Sequence, residues 1–236
     1  MTWGGILQLI GAAVGMGLGA VGSALAAGHA AGSACEAIAR QPWATGQIRK
    51  TMLIGQGVSS TPSIFALVVA LLVITTDATG TTLVQGFGYL GAGLCIGLAT
   101  LGGGFGSGFA NATACEGVGR HPRRIGGVIR MMIVGQAVTQ SASIFALLVA
   151  FMLMYTEGGG GAVRAVALLA SGVCMGAGGI GPGLGAGLAA GEAVRGASRY
   201  SGCENVVLRT MLIGQAVAQS TAIYSLVIAL LLIYYI

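Results

Sequence analysis

Apolar residues run almost unbroken along this chain, and charged residues interrupt them only at intervals. The segments 1–35, 51–76, 78–115, 131–156, 165–191 and 210–236 contain no Asp, Glu, Lys or Arg. Each exceeds the roughly 20 residues that an α-helix needs to cross a bilayer. The pattern therefore predicts an all-α membrane protein of six transmembrane helices. It also repeats: Gln56, Gln136 and Gln215 recur at a near-constant interval, and Arg40, Arg120 and Arg199 keep the same spacing. One helical hairpin is written three times, over 1–78, 79–158 and 159–236.

The two helices of each hairpin differ in bulk. The first is dense in glycine, as in Gly11, Gly15, Gly19 and Gly22, then Gly93, Gly97, Gly104 and Gly108, then Gly172, Gly176, Gly183 and Gly187. In lipid such a helix keeps its backbone hydrogen bonds, and its bare faces let neighbouring backbones approach closely. The second carries larger residues, such as Ile64, Phe65 and Leu67, Ile144, Phe145 and Leu147, and Ile223, Tyr224 and Leu226. These are expected to face lipid or a partner. A thin inner helix with a bulky outer one makes a wedge, and wedges close into rings. The connectors Thr76–Thr82 and Thr156–Gly161 are short and polar and leave no room for a soluble domain.

Composition agrees with the bilayer as solvent: 55% of residues are hydrophobic and 7% charged, against about 25% charged in soluble domains. The net charge of +5 is a statement about topology and gives no reason to expect nucleic acid. Arg40, Arg49 and Lys50, then Arg120, Arg123, Arg124 and Arg130, then Arg195, Arg199 and Arg209 cluster near the three hairpin loops. Arg164 lies on the other side, with Asp77 and Glu157. The positive-inside rule puts the loops in the cytoplasm and both termini opposite. No positively charged segment precedes the first apolar run, so that span is expected to be retained. The cysteines read as small packing residues.

Each second span carries a small polar cluster near its middle. These are Gln56, Val58, Ser60 and Thr61; Gln136, Val138, Gln140 and Ser141; and Gln215, Val217, Gln219 and Ser220. Gln140 and Gln219 are expected to join helices by neutral hydrogen bonds, at about 0.6–2 kcal/mol each. Pro62 removes the N–H that would serve the Val58 carbonyl, which predicts a kink. His29 reads as a packing residue, and Glu36 and Glu116 as ion-pair partners of Arg40 and Arg120. No nucleophile–His–acid set, metal cluster or phosphate loop is present, so no catalytic residue, metal or cofactor is expected.

The glycine-rich helix, the loop Ala39-Arg40-Gln41-Pro42 and the following Met52-Leu53-Ile54-Gly55-Gln56 resemble the c subunit, or proteolipid, of rotary F-type ATP synthases. The third repeat is the nearest match, through Gly179-Ile180-Gly181-Pro182-Gly183-Leu184-Gly185 and Thr210-Met211-Leu212-Ile213-Gly214-Gln215-Ala216-Val217. The resemblance covers the chain three times. It implies a rotor ring of hairpins that carries protons or sodium ions past a stator subunit, with cytoplasmic loops gripping a central stalk. Partners would be further copies of this chain, stator and stalk subunits, membrane lipid, and lipid in the ring lumen. The loop motif is matched at Arg40, Gln41 and Pro42, nearly so at Arg120, His121 and Pro122, and departs at Arg199-Tyr200-Ser201.

The family carries Glu or Asp where this chain has Ser60, Gln140 and Gln219. A carboxamide or hydroxyl cannot ionise, so the usual proton cycle is not supported. A sodium site of the family type would use the carbonyls of Val58, Val138 and Val217 and the hydroxyls of Thr61, Ser141 and Ser220. Without the acid, a bound cation would leave a charge facing lipid, at a cost of at least about 2.5–3.5 kcal/mol. The helix-1 glutamine of sodium-binding relatives is also missing, with Ala27, Ser107 and Ala186 at the aligned positions. Two readings follow: a rotor-ring subunit whose own ion carriage is unsupported, or a non-translocating scaffold ring derived from one. An open channel is disfavoured, since glycine-lined helices offer no charged filter.

Overall fold

The computed structural model describes residues 2–156, 159–200 and 202–235. Glu157, Gly158 and Ser201, on which the connector and third-loop expectations partly rest, lie outside the described residues. Hairpin 1 consists of α1 (Trp3–Arg40), a 3-10 turn at Pro42–Ala44, α2 (Thr45–Ser59) and α3 (Thr61–Thr75). Hairpin 2 repeats this with α4 (Leu83–Arg120), a 3-10 turn at Pro122–Arg124, α5 (Ile125–Thr139) and α6 (Ser141–Met154). Hairpin 3 consists of α7 (Ala162–Arg199) and α8 (Glu204–Tyr234). Among the described residues, six stretches are long and apolar enough to cross a membrane, two per hairpin. Each first helix has 38 residues, roughly 57 Å at 1.5 Å per residue, so its loop end projects beyond the bilayer core.

The second spans of hairpins 1 and 2 are each divided, at Ser60, where Pro62 predicts a kink, and at Gln140, where the sequence carries no such signal. Both dividing residues keep helical torsions, φ −82° with ψ −13° and φ −82° with ψ −6°, so each span carries on through its break. Pro62 explains the first break, because it offers no N–H to the carbonyl of Val58. No proline accompanies the second. In hairpin 3, α8 runs through Gln219 uninterrupted.

The glycine-rich helices form one layer, with α4 between α1 and α7. A Cβ added at Gly93 would collide with the Gly11 carbonyl, and one at Gly172 with the Gly91 carbonyl. These helices therefore meet backbone to backbone, as small-residue interfaces in lipid allow. The bulkier segments form the second layer, with α2 resting on both α1 and α4, and α5 on both α4 and α7. Ile64, Leu67, Ile144, Leu148, Ile223, Tyr224 and Val227 point outward, while Val69 and Val149 are buried and Phe65, Phe145, Leu147 and Leu226 pack against the core. Exposed Trp3, Tyr155, Tyr234 and Tyr235 mark the connector end and Trp43 and Tyr200 the loop end. They match the aromatic belts at the two membrane surfaces.

Local bonds fix both ends. Thr82 caps α4 in a reciprocal arrangement with Gln85. In the first connector, the Thr79 N–H (2.9 Å) and then its hydroxyl (2.7 Å) bond Asp77 and hold its carboxyl below the usual carboxylate range. Fully buried Gln8 donates to the carbonyls of Val73 (2.7 Å) and Thr76 (2.9 Å) and accepts from the Thr81 hydroxyl (2.8 Å), tying α1 to that connector. At the loop end Glu36 pairs with Arg40, and Glu116 with Arg120 at 3.6 Å. Exposed pairs of this kind add little stability.

Candidate functional site

The glutamines at mid-span meet at the seams between hairpins. Gln56 Nε2 donates to the Ala27 carbonyl (3.1 Å), Gln136 Nε2 to that of Ser107 (3.0 Å) and Gln215 Nε2 to that of Ala186 (2.9 Å). One bond from second helix to first thus recurs in every repeat. Two of the three also reach the preceding hairpin. Gln136 Nε2 lies 3.2 Å from the Gly55 carbonyl and 3.1 Å from Ser59 Oγ, and Gln215 Nε2 lies 2.9 Å from the Gly135 carbonyl.

One turn further on, Gln140 Nε2 donates to the Val58 carbonyl at 2.6 Å and Gln219 Nε2 to the Val138 carbonyl at 3.1 Å. Both acceptors lie just before the breaks described above, at Ser60 and Gln140. The third helix differs: the Val217 carbonyl accepts from Ser220 Oγ of its own helix at 2.7 Å. Ser60 also turns inward, donating to the Gln56 carbonyl at 2.8 Å. Thr61 and Ser141 open α3 and α6.

Gln136, Gln140, Gln215 and Gln219 are all buried, and the Oε1 atoms of Gln136, Gln215 and Gln219 have no hydrogen-bond partner among the described residues. At mid-span, the polar atoms that these bonds bring together across the seams are all neutral. The described acids, Glu36, Asp77, Glu116, Glu192 and Glu204, lie at helix ends or connectors. No group of three His, Cys, Asp or Glu that could hold a metal occurs among the described residues. Such a seam can join helices and exclude water, but it offers no group that gains or loses a proton.

The expected stalk-contact residues lie at the opposite end from the connectors. Gln41 and His121 adopt the same backbone conformation, φ −139° with ψ 76° and φ −136° with ψ 72°, and each leads into a turn opened by Pro42 or Pro122. The third loop departs in geometry as in sequence: Arg199 ends α7, Tyr200 is extended and Gly202 has φ +92°.

Further interhelical polar groups, within hairpins and between them, carry weaker sequence signals. Ser63 Oγ donates to the Gly19 carbonyl (2.9 Å) and Ser143 Oγ to that of Ala99 (3.4 Å), a pair at repeat spacing. Asn111 Nδ2 donates to the Met52 carbonyl (3.2 Å) and fills the space beside Gly55. Gln8 and Asn111 have no counterpart in the other repeats; their signal is a lone carboxamide inside an apolar run.

The family model for the ATP synthase c subunit matches residues 10–73, 90–153 and 169–232, once per hairpin and over most of the chain. The chain belongs to the ATP synthase c-subunit family. An ATP synthase c subunit of Natranaerobius thermophilus is 45% identical over 78 residues, covering 33% of this chain and 90% of that protein. The ATP synthase c subunit of Cereibacter sphaeroides that is numbered 2 is 44% identical over 69 residues, covering 29% and 83%. One from Mesomycoplasma hyopneumoniae is 39% identical over 71 residues, covering 30% and 69%. These relatives thus correspond to about one third of the present chain, which is a triplicated c subunit of the multi-pass membrane class.

Proposed function

We propose that this chain is a rotor-ring subunit of a rotary ATP synthase or ATPase, each copy contributing three hairpins, and that it carries no ion itself. The observation carrying this reading is the pair of cross-seam bonds from Gln140 to Val58 and from Gln219 to Val138. They occupy two of the carbonyls that a cation of the family type would use, with a neutral donor. ATP chemistry then belongs to partner subunits. The loops face the cytoplasm and the stalk, and both termini face the other side.

Ring closure follows from exposed faces. Ala13, Gly17, Ala24 and Gly28 of α1 are exposed, at the repeat positions by which Gly93, Gly97, Gly104 and Gly108 of α4 pack on α1. Ala170, Gly181 and Leu188 of α7 are exposed, at the positions by which Gly91, Gly102 and Phe109 of α4 meet α7. The α1 face of one copy therefore fits the α7 face of the next, head to tail, as a closed rotation requires. The inward face of α4, with Leu94, Leu98, Leu101, Phe105 and Phe109 partly exposed, suits a lumen filled by lipid.

A second reading, a scaffold ring without transport, is favoured by the lack of any carboxylate in the mid-span stretches 51–76, 131–156 and 210–235. Native mass spectrometry of the complex from its own membranes separates the two. Co-purifying stator, stalk and catalytic subunits are expected for the rotor. A ring of this chain with lipid alone would overturn that role and leave the scaffold.

A further inference from the structure

A notch opens at the connector end of the seam between hairpins 2 and 3. Phe151, Met152 and Tyr155 from the end of α6, Arg164 from the first turn of α7, and Ile233 and Tyr234 from the end of α8 enclose about 430 Å³. Arg164 is the only basic residue at this end of the molecule, the other ten lying near the loops. Its Nε is buried and has no hydrogen-bond partner among the described residues, although guanidinium donors removed from water are normally satisfied. Tyr155 and Tyr234 are among the most exposed aromatics and stand at the level of the aromatic belt, where phospholipid headgroups meet acyl chains.

The site therefore combines three features: an apolar wall of Phe151, Met152 and Ile233, two amphipathic tyrosines, and a cation with an unsatisfied Nε. An acyl chain, a glycerol backbone and a phosphodiester present matching chemistries along one molecule. We infer that this notch holds one anionic phospholipid per chain, its phosphodiester on Arg164 and its acyl chain on the apolar wall. The corresponding seam between hairpins 1 and 2 has no basic residue at this end, so the lipid marks one seam in each chain and leaves the other bare. The inference needs only that the chain spans a membrane, and stands apart from the rotor reading.

The test uses the intact ring, reconstituted in mixed phosphatidylglycerol and phosphatidylcholine, extracted in mild detergent and weighed by native mass spectrometry. Phosphatidylglycerol is expected to stay bound in preference to phosphatidylcholine. Arg164→Gln is expected to lower its retention by about tenfold or more, because a hydrogen bond to a charged group is among the stronger ones. Val163→Gln, at the exposed neighbour, is expected to keep the lipid, which separates loss of the cation from loss of local structure. Equal retention of the two lipids, or equal retention of phosphatidylglycerol by the wild type and Arg164→Gln, would overturn the inference. So would displacement of the lipid by excess inorganic phosphate, which would identify a free-anion site instead.

Discussion

The carboxamide of Gln140 donates to the backbone carbonyl of Val58 across 2.6 Å, joining the second spans of two neighbouring hairpins near the middle of the membrane. Gln219 and Val138 repeat the contact at the next seam at 3.1 Å. In both cases the acceptor helix is interrupted beside the acceptor, and in both the donor belongs to the following hairpin. Ser60, at the same repeat position, has no preceding hairpin within the chain and bonds back to the Gln56 carbonyl. The α8 helix, which has no following hairpin within the chain, is unbroken. Broken helix and carboxamide strap thus occur together, and their absence coincides where one copy would meet the next.

Removing the Gln136 carboxamide should weaken the first seam more than removing that of Gln56 weakens hairpin 1. Gln136 reaches acceptors on two hairpins and Gln56 on one. Interhelical bonds in lipid are worth about 0.6–2 kcal/mol each, so Gln136→Leu should lose roughly twice what Gln56→Leu does. Unfolding of the full chain in mixed micelles reads both; equal losses would show that the inter-hairpin bonds add nothing.

Glycine substitutions should divide by face. Gly93→Leu places a side chain against the Gly11 backbone and should prevent the hairpins from packing within one chain. A Cβ added at Gly17 meets nothing within 4 Å in the single chain, so Gly17→Leu extends from an open face. It should leave the chain folded yet block assembly of the ring. Size-exclusion chromatography and circular dichroism distinguish these outcomes, and a Gly17→Leu ring of normal mass would contradict the head-to-tail closure.

Thiol accessibility should report the sidedness. Cys203 is exposed in the loop between α7 and α8, whereas Cys95 is buried in the layer of first helices. A membrane-impermeant maleimide should label Cys203 from the cytoplasmic face and leave Cys95 untouched from either. Labelling of Cys203 only from the opposite face would reverse the orientation inferred from the basic loops.

Acidification should loosen the first connector. Asp77 is held below the usual carboxylate range by the Thr79 N–H and then its hydroxyl. A carboxyl depressed in the folded state stabilises above its unfolded pKa and loses that contribution as pH falls through the folded one. Amide exchange at Thr79 should therefore accelerate only at pH below the ordinary carboxylate range, and Asp77→Asn should abolish the dependence.

The three hairpins and six spans were legible because lipid imposes a coarse rule: no charge across the bilayer core, and glycine where backbones touch. In the sequence, Ala27, Ser107 and Ala186 read only as positions where the sodium-binding relatives' glutamine is missing; that their carbonyls accept the repeat's common bond was not legible there. The break at Gln140 was not legible. Proline announces a break at Ser60, but at Gln140 the chain offers only ordinary helix formers, and the break shows itself through a partner on another hairpin. Gln8 was missed for a similar reason: its acceptors, Val73 in the last turns of α3 and Thr76 just beyond it, are brought near only once α1 and α3 pack.

The central claim is that neutral carboxamides have replaced ion carriage at the seams, and an apolar carbodiimide tests it most directly. Such a reagent modifies a protonated carboxyl within the membrane and leaves a carboxamide alone. On the intact ring in its own membranes, peptides from 51–76, 131–156 and 210–235 should carry no adduct at any pH, with or without sodium, while Gln140→Glu should become labelled. A sodium-protected or pH-dependent adduct on any of these spans in the wild-type chain would contradict the claim.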